Sequence, residues 1–300
     1  SATPSMLSRN GPASAIHAGA FASFVLLAMW FMHPVLGAPT TLAIGHPNND
    51  VWNHVWGYGF VAQSLAAGEW PMHTDLLNWP HGGTLWFIDL LGALITLPIN
   101  WLSGPVAAYN SGMLIQWVLA GVGMYALAWR VTGSIAGAWA AGIAFQTMPH
   151  LMGQAYNGIS ETLMVGFLPL ALLAIRELFH SPSRRTAVIA GATLGLTALA
   201  NWYYGLFAGF ALIGLTVRGL WRSRGRPPRG SVSLAVWFLA VSVAMVAPAL
   251  LAFRASMSAV DAVVTRDPQF VWATLVLHNM TDVVSFFRPG KHYSPDLKDA

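Results

Sequence analysis

GHPNNDVWNHVWGYGFVAQSLAAGEWPMHTDLLNWPH, residues 45–81, places three acids and four histidines between long apolar runs. Between residues 10 and 129 the chain carries only four formal charges, all acidic: Asp50, Glu69, Asp75 and Asp89. A charge at the centre of a bilayer costs at least about 2.5–3.5 kcal/mol, so apolar runs around one polar stretch read as membrane spans around a loop. The loop has no Lys or Arg. Cytoplasmic loops are rich in both, so this one reads as external.

The rest of the composition agrees. The 300 residues are 55% hydrophobic and 9% charged, with a mean hydropathy of +0.55; soluble domains are about 25% charged. Eight of the 15 Lys and Arg fall within residues 176–229: Arg176, Arg184, Arg185, Arg218, Arg222, Arg224, Arg226 and Arg229. That cluster marks a cytoplasmic side and explains the net charge of +4 without any nucleic-acid partner. The absence of cysteine removes disulfides, thiolate ligands and thiol nucleophiles. The chain begins without Met and stops in a polar segment, Ser294–Ala300, and is expected to be an N-terminal part of a longer protein.

Residues 1–300 read as one all-α module, a polytopic transmembrane helical bundle. Residues 14–37 form the first span, 38–82 the first external loop, and 254–300 an external tail. Within the loop, a helix is expected over 51–67 with Asp50 as its N-cap. Trp52, Trp56 and Phe60 recur at spacing four, so this helix is expected to lie on the membrane surface by an aromatic face. Further apolar runs follow at 84–102, 105–129, 134–149, 159–175, 186–217 and 231–253, for about seven spans. Pro98 and Asn100 make 84–102 re-entrant rather than a full crossing, which puts Arg130 and Arg176 on one side. The run 186–217 is basic at both flanks, so it reads as a hairpin turning near Asn201.

Candidate chemistry gathers in a few polar groups. Asp50 and His54 stand four apart on one helix face. A carboxylate there can deprotonate a hydroxyl or contact a divalent cation, Mg or Mn; the plainer reading is a helix cap. Trp79 and His81 lie in a Pro/Gly-fixed loop, where an indole can stack on a sugar or sit at the lipid interface. His46, His54, His73 and His81 lack the spacing of a zinc site. His150 and Glu161 belong to a second polar neck between spans, and a lone acid opening a span is a functional candidate. Tyr203 sits in the Asn201–Tyr204 turn. In the tail, Arg288 and Lys291 break the charge bias, and binding a lipid phosphate would give them a purpose.

The order of these motifs resembles bacterial polytopic proteins of the GT-C glycosyltransferase superfamily. The stretches that carry the likeness are SLAAGEWPMHTDLLNWPHGG, GPVAAYN, ALAWRVTGS, MPHLMGQAYNG, LPLALLAIREL and NWYYGLFAGF, over about residues 40–290. The resemblance implies inverting transfer of a sugar from a polyprenyl-phosphate donor, on the outer face of the bacterial cytoplasmic membrane. It implies Asp50 as catalytic base, with His150 and Glu161 in the same cavity. His54, Trp79, His81 and Tyr203 would contact substrate, and Arg288 and Lys291 the donor phosphate. The chain departs from that pattern in having no DxD or ExD at Asp50, which is preceded by Asn48 and Asn49.

Two other readings compete. A lipid or solute transporter would use Asp89, Asn100, Asn110, Gln116 and Gln146 as a polar path. A scaffold subunit would keep the fold without catalysis. An Asp50 buried in a cavity favours the enzyme, and a solvent-facing Asp50 favours the other two.

Overall fold

The computed structural model describes residues 11–77, 79–80, 82–84, 89–222, 224, 230–257, 269 and 272–273. The chain divides into two compact units, Ser1–Ala252 and Phe253–Ala300. His81, Arg288, Lys291 and nearly all of the 254–300 tail lie outside the described residues.

The fold is helical, in the order α1 (Gly11–Leu36), α2 (Val51–Ala66), α3 (Leu90–Ile95), α4 (Leu97–Thr132), α5 (Ile135–Gln146), α6 (Pro149–Asn157), α7 (Ser160–Leu163), α8 (Phe167–His180), α9 (Arg184–Ala200), α10 (Trp202–Arg222) and α11 (Ser231–Met257). Among the described residues, strand structure is confined to a two-residue ladder, β1 (His73–Thr74) on β2 (Gly83–Thr84). Five segments are long and apolar enough to cross a membrane: Ser14–Leu36, Leu97–Thr132, Ser160–His180, Trp202–Arg222 and Ser231–Ala255. The chain is a membrane protein on that ground. The expected seven spans resolve into these five and two shorter apolar helices, α5 of 12 residues and α9 of 17.

Among its described residues, the run 84–102 makes no crossing of its own. Its described residues are the end of the ladder, the short α3 and the start of α4. Within α4, Gly104 breaks the helix at φ 85° and ψ 173°, a backbone that favours glycine, and Pro105 opens the long part. Arg130, at the end of α4, makes two 3.1 Å hydrogen bonds to Glu177 near the end of α8, and Arg176 bonds the same carboxylate. Arg130 and Arg176 therefore share one end of the bundle, as expected.

The hairpin over 186–217 is also present. Ser183 caps α9 through a capping box with Thr186. Asn201 adopts an extended backbone, and its side chain accepts from Tyr203 N to start α10. At the far end of α10, a Cβ on Gly219 would touch Phe179 of α8 at 3.9 Å. Arg184, Arg185 and the last turn of α10 are thus returned to the end that holds Arg130.

One core joins α1, α2, α4 and the α6–α7 region through Met32, Tyr58, Val61, Tyr109, Met113, Trp117, Leu151 and Leu163. A smaller cluster, Ala174, Ile175, Ala187, Ala190 and Phe238, joins α8, α9 and α11. The helix expected at the membrane surface also has a buried side. Trp52 is half exposed, and Trp56 stacks on Phe60 at 5.2 Å along one stripe. The opposite stripe, Val51, His54, Val55, Tyr58, Val61 and Ala62, is buried in the core. A helix apolar on most of its circumference is held by protein on one side.

Candidate functional site

The first loop and the second polar neck are laced together by backbone bonds. His46 N donates to Tyr156 O at 2.7 Å, Asp50 N to Asn157 O at 3.0 Å, and Asn49 Nδ2 to Asn157 Oδ1 at 3.0 Å. The buried Tyr109 hydroxyl of α4 reaches Ile44 O at 3.0 Å and Gly158 O at 3.2 Å, joining both segments to the bundle. Asn110 holds the start of the loop, donating to Pro39 O and Leu42 O and accepting from Ile44 N. Residues more than 100 positions apart are fixed at one end by these bonds.

Two linked groups of side chains sit behind this lacing. In the first, Asp89 is 2% exposed. Its Oδ2 accepts from Tyr58 OH and Gln116 Nε2, and its Oδ1 from Gly92 N as the cap of α3, all at 2.8 Å. In the second, His54 Nε2 stands 3.4 Å from Glu161 Oε2, and Ser160 Oγ stands 3.4 Å from His54 Nδ1. The Glu161 Oε2 is buried and lacks a hydrogen bond of good geometry. The Glu161 side chain is 25% exposed and that of His54 is 4% exposed, so the carboxylate lies on the approachable side.

Burial holds the His54 imidazole below its ordinary value, against the opposing pull of the Asp89 and Asp50 charges. Burial, and then the Asp89 charge, pushes the Tyr58 phenol well above its own. His54 is therefore neutral near pH 7, with its Nε2 facing the Glu161 carboxyl group.

The other expected residues fall unevenly. Asp50 is exposed and caps nothing with its side chain, which only accepts from Asn53 Nδ2 at 3.3 Å. His150 is exposed at its place in α6, with Nε2 at 3.4 Å from Tyr204 OH. Tyr203 points away and is 70% exposed; its neighbour Tyr204 enters the site and donates to Thr162 O at 2.6 Å. Trp79 is 80% exposed and is not brought to the site by any described contact. Among the described residues no three His, Asp or Glu side chains gather as a metal-binding group. The described residues of the site thus lack a ligand set for the expected divalent cation.

Sequence reasoning placed Asp89 and Gln116 only on a transport path and Tyr204 only in a polar turn, and it missed Tyr58 and Ser160. The available signal was Asp89 itself, an acid inside an apolar run that must find donors. The path residues are instead engaged in holding the fold. Asn100 donates to Tyr58 O at 2.9 Å and Gln146 to Phe24 O at 2.9 Å.

Next to the laced segments lies an apolar cavity of about 330 Å³. Phe31, Val35, Ile44, Trp117, Met152 and Tyr156 are among its walls. No curated protein and no solved structure matches the chain. A family model matches residues 20–289, a range that takes in the laced loops, both buried groups and all but the start of the first span, and the chain belongs to that family, described as a domain of unknown function, DUF6311.

Proposed function

We propose that the chain is a GT-C-like membrane glycosyltransferase module, moving a sugar from a polyprenyl-phosphate donor to an acceptor hydroxyl. The supporting observation is the lacing of residues 44–50 to 156–161, which sets Asp50, His54, His150, Glu161 and Tyr204 at one end of the bundle, near an apolar cavity. An isoprenoid chain suits such a cavity, and a polar sugar suits the rim. By the positive-inside bias, this end faces outward from a bacterial cytoplasmic membrane.

In this reading Glu161, backed by neutral His54, takes the acceptor proton. The acceptor oxygen then bonds to the anomeric carbon from the face opposite the phosphate. The carbon–oxygen bond to the phosphate breaks, and the polyprenyl phosphate leaves with the bonding pair. Exposed Asp50 serves the mouth of the site, where it orients the acceptor. This moves the base from Asp50, the first expectation, to the half-buried carboxylate that faces His54.

A second reading is favoured by one observation: the solvent-facing Asp50 fits a scaffold that keeps the fold without catalysis. The transporter reading has less support, because its path residues are tied into structural hydrogen bonds. The deciding experiment measures radiolabelled sugar transfer from polyprenyl-phosphate sugars by the purified protein, with Asp50→Asn and Glu161→Gln beside it. The enzyme reading expects Glu161→Gln to lose at least about 100-fold in rate, as for removal of a general base, with donor binding retained. Full transfer by Asp50→Asn would remove Asp50 from the site. No transfer by the natural sequence with any such donor leaves the scaffold.

A further inference from the structure

A second and larger cavity, about 930 Å³, opens at the basic end of the bundle between α4, α8 and α9. One wall is a single stripe of α8: Leu170, Leu173, Ala174 and Glu177. The facing wall is a single stripe of α9: Thr186, Ile189 and Thr193. These spacings of three and four put each set on one helix face. Arg130 and Arg185 stand at the mouth. From Glu177 to Leu170 is seven residues, so the apolar walls reach about 10 Å from the arginines along the bundle.

The mouth is cationic in effect. Glu177, its acid, is already held by Arg130 and Arg176. Arg185 is exposed and has no acidic partner among the described residues. Its neighbour Arg184 is occupied differently, with its guanidinium 3.7 Å over the Trp237 ring. The groove thus presents a free arginine at the lip, a second arginine across from it, and an apolar trough running toward the membrane interior. A soluble anion would use the lip and leave the trough in contact with water. An anionic lipid satisfies both, since basic pockets between spans on the cytoplasmic side suit lipid headgroups.

We infer that this groove is a binding site for an anionic phospholipid, with its phosphate on Arg185 and Arg130 and one acyl chain along Leu170, Leu173 and Ile189. The site is separate from the one above. Glu161 and Glu177 stand near opposite ends of the Ser160–His180 segment, about 24 Å apart along it. Its fate is independent of any transfer activity.

The test is native mass spectrometry of the full chain released from nanodiscs containing equal phosphatidylglycerol and phosphatidylcholine of one chain length. The natural sequence is expected to retain phosphatidylglycerol preferentially. Arg185→Gln is expected to lower the retained fraction about fivefold, the effect of one basic residue near an anionic surface. Arg222→Gln, at the same end but off the groove, is expected to leave it unchanged. Leu173→Trp, which fills the trough while keeping both arginines, is expected to abolish retention; its melting temperature in detergent establishes that it folds. Equal loss in Arg185→Gln and Arg222→Gln would overturn the site in favour of general surface charge. Displacement of the lipid by millimolar inorganic phosphate, or no preference by the natural sequence, would overturn it as well.

Discussion

The Asp89 carboxylate accepts from a phenol, a side-chain amide and a backbone N–H, and almost none of it meets solvent. Removing it strands buried donors, each costing about 1–3 kcal/mol. Asp89→Ala is therefore expected to cost about 3 kcal/mol or more in a detergent unfolding titration. Asp75→Ala removes a carboxylate that is 72% exposed and 3.4 Å from His73. It should change stability by less than about 0.5 kcal/mol. His54 gives a prediction in pH. Its folded value is lowered, so below about pH 6.5 the unfolded chain takes up a proton that the folded chain refuses. The His54 contribution is complete above that pH and is lost as pH falls toward the folded value. The unfolding midpoint of the natural sequence should drop more than that of His54→Gln between about pH 7.5 and 5.5. Glu161, Asp89 and Asp50, the acids that face this position, are present in both proteins, and the difference between the two curves reports the histidine. At this scale Asp50, His150 and Glu161 were legible because they stand out in an apolar chain. Ser160 and Tyr58 were not, because a hydroxyl in a helix is ordinary until a distant partner faces it.

Among the elements, the α9–α10 hairpin was legible from its charge. Two basic flanks on one uncharged run require a return, and Asn201 supplies the turn. The inner face of α2 was not, because its aromatic stripe hid an equally apolar stripe opposite. The close approach of α4 to its neighbours was hidden for a related reason: glycine looks alike in a loop and at a contact. A Cβ on Gly166 would lie 2.5 Å from the Leu119 carbonyl carbon and 2.7 Å from Ala120 N, both backbone atoms of α4. Gly166→Ala should cost about 1–3 kcal/mol by forcing the helices apart. Gly153, inside α6, has nothing within 4 Å of its built Cβ. Gly153→Ala should stabilise by about 0.5–1 kcal/mol through helix preference alone. Thermal melts of the pair in one detergent check both signs.

For the whole molecule, charge separates along the bundle, and the positive-inside bias turns that separation into an expected direction in the membrane. Arg130, Arg176, Arg184 and Arg185 gather at the end away from Asp50 and Glu161. With no native cysteine, single replacements report cleanly. In intact bacterial cells, an impermeant maleimide should label Asn48→Cys and should label Pro182→Cys only after permeabilisation. The reverse pattern would turn the molecule over. That bias was readable from sequence, whereas the count of crossings was not, because apolar runs do not reveal where helices stop short. The helix α5 is the instance. Its 12 residues rise about 18 Å, against a hydrocarbon layer of about 30 Å. Its outward face is bare protein surface, with Trp139 44% exposed. The chain closes its own hydrogen bonds at the break, Thr147 N to Ile143 O and Met148 N to Phe145 O, so the early stop is tolerated in an apolar medium. Lipid alongside α5 must thin or lean to match it, at a fraction of a kcal/mol per ångström. Acyl-chain length is thereby expected to load this side of the molecule, acting on the short helix and on the α6 segment that carries His150.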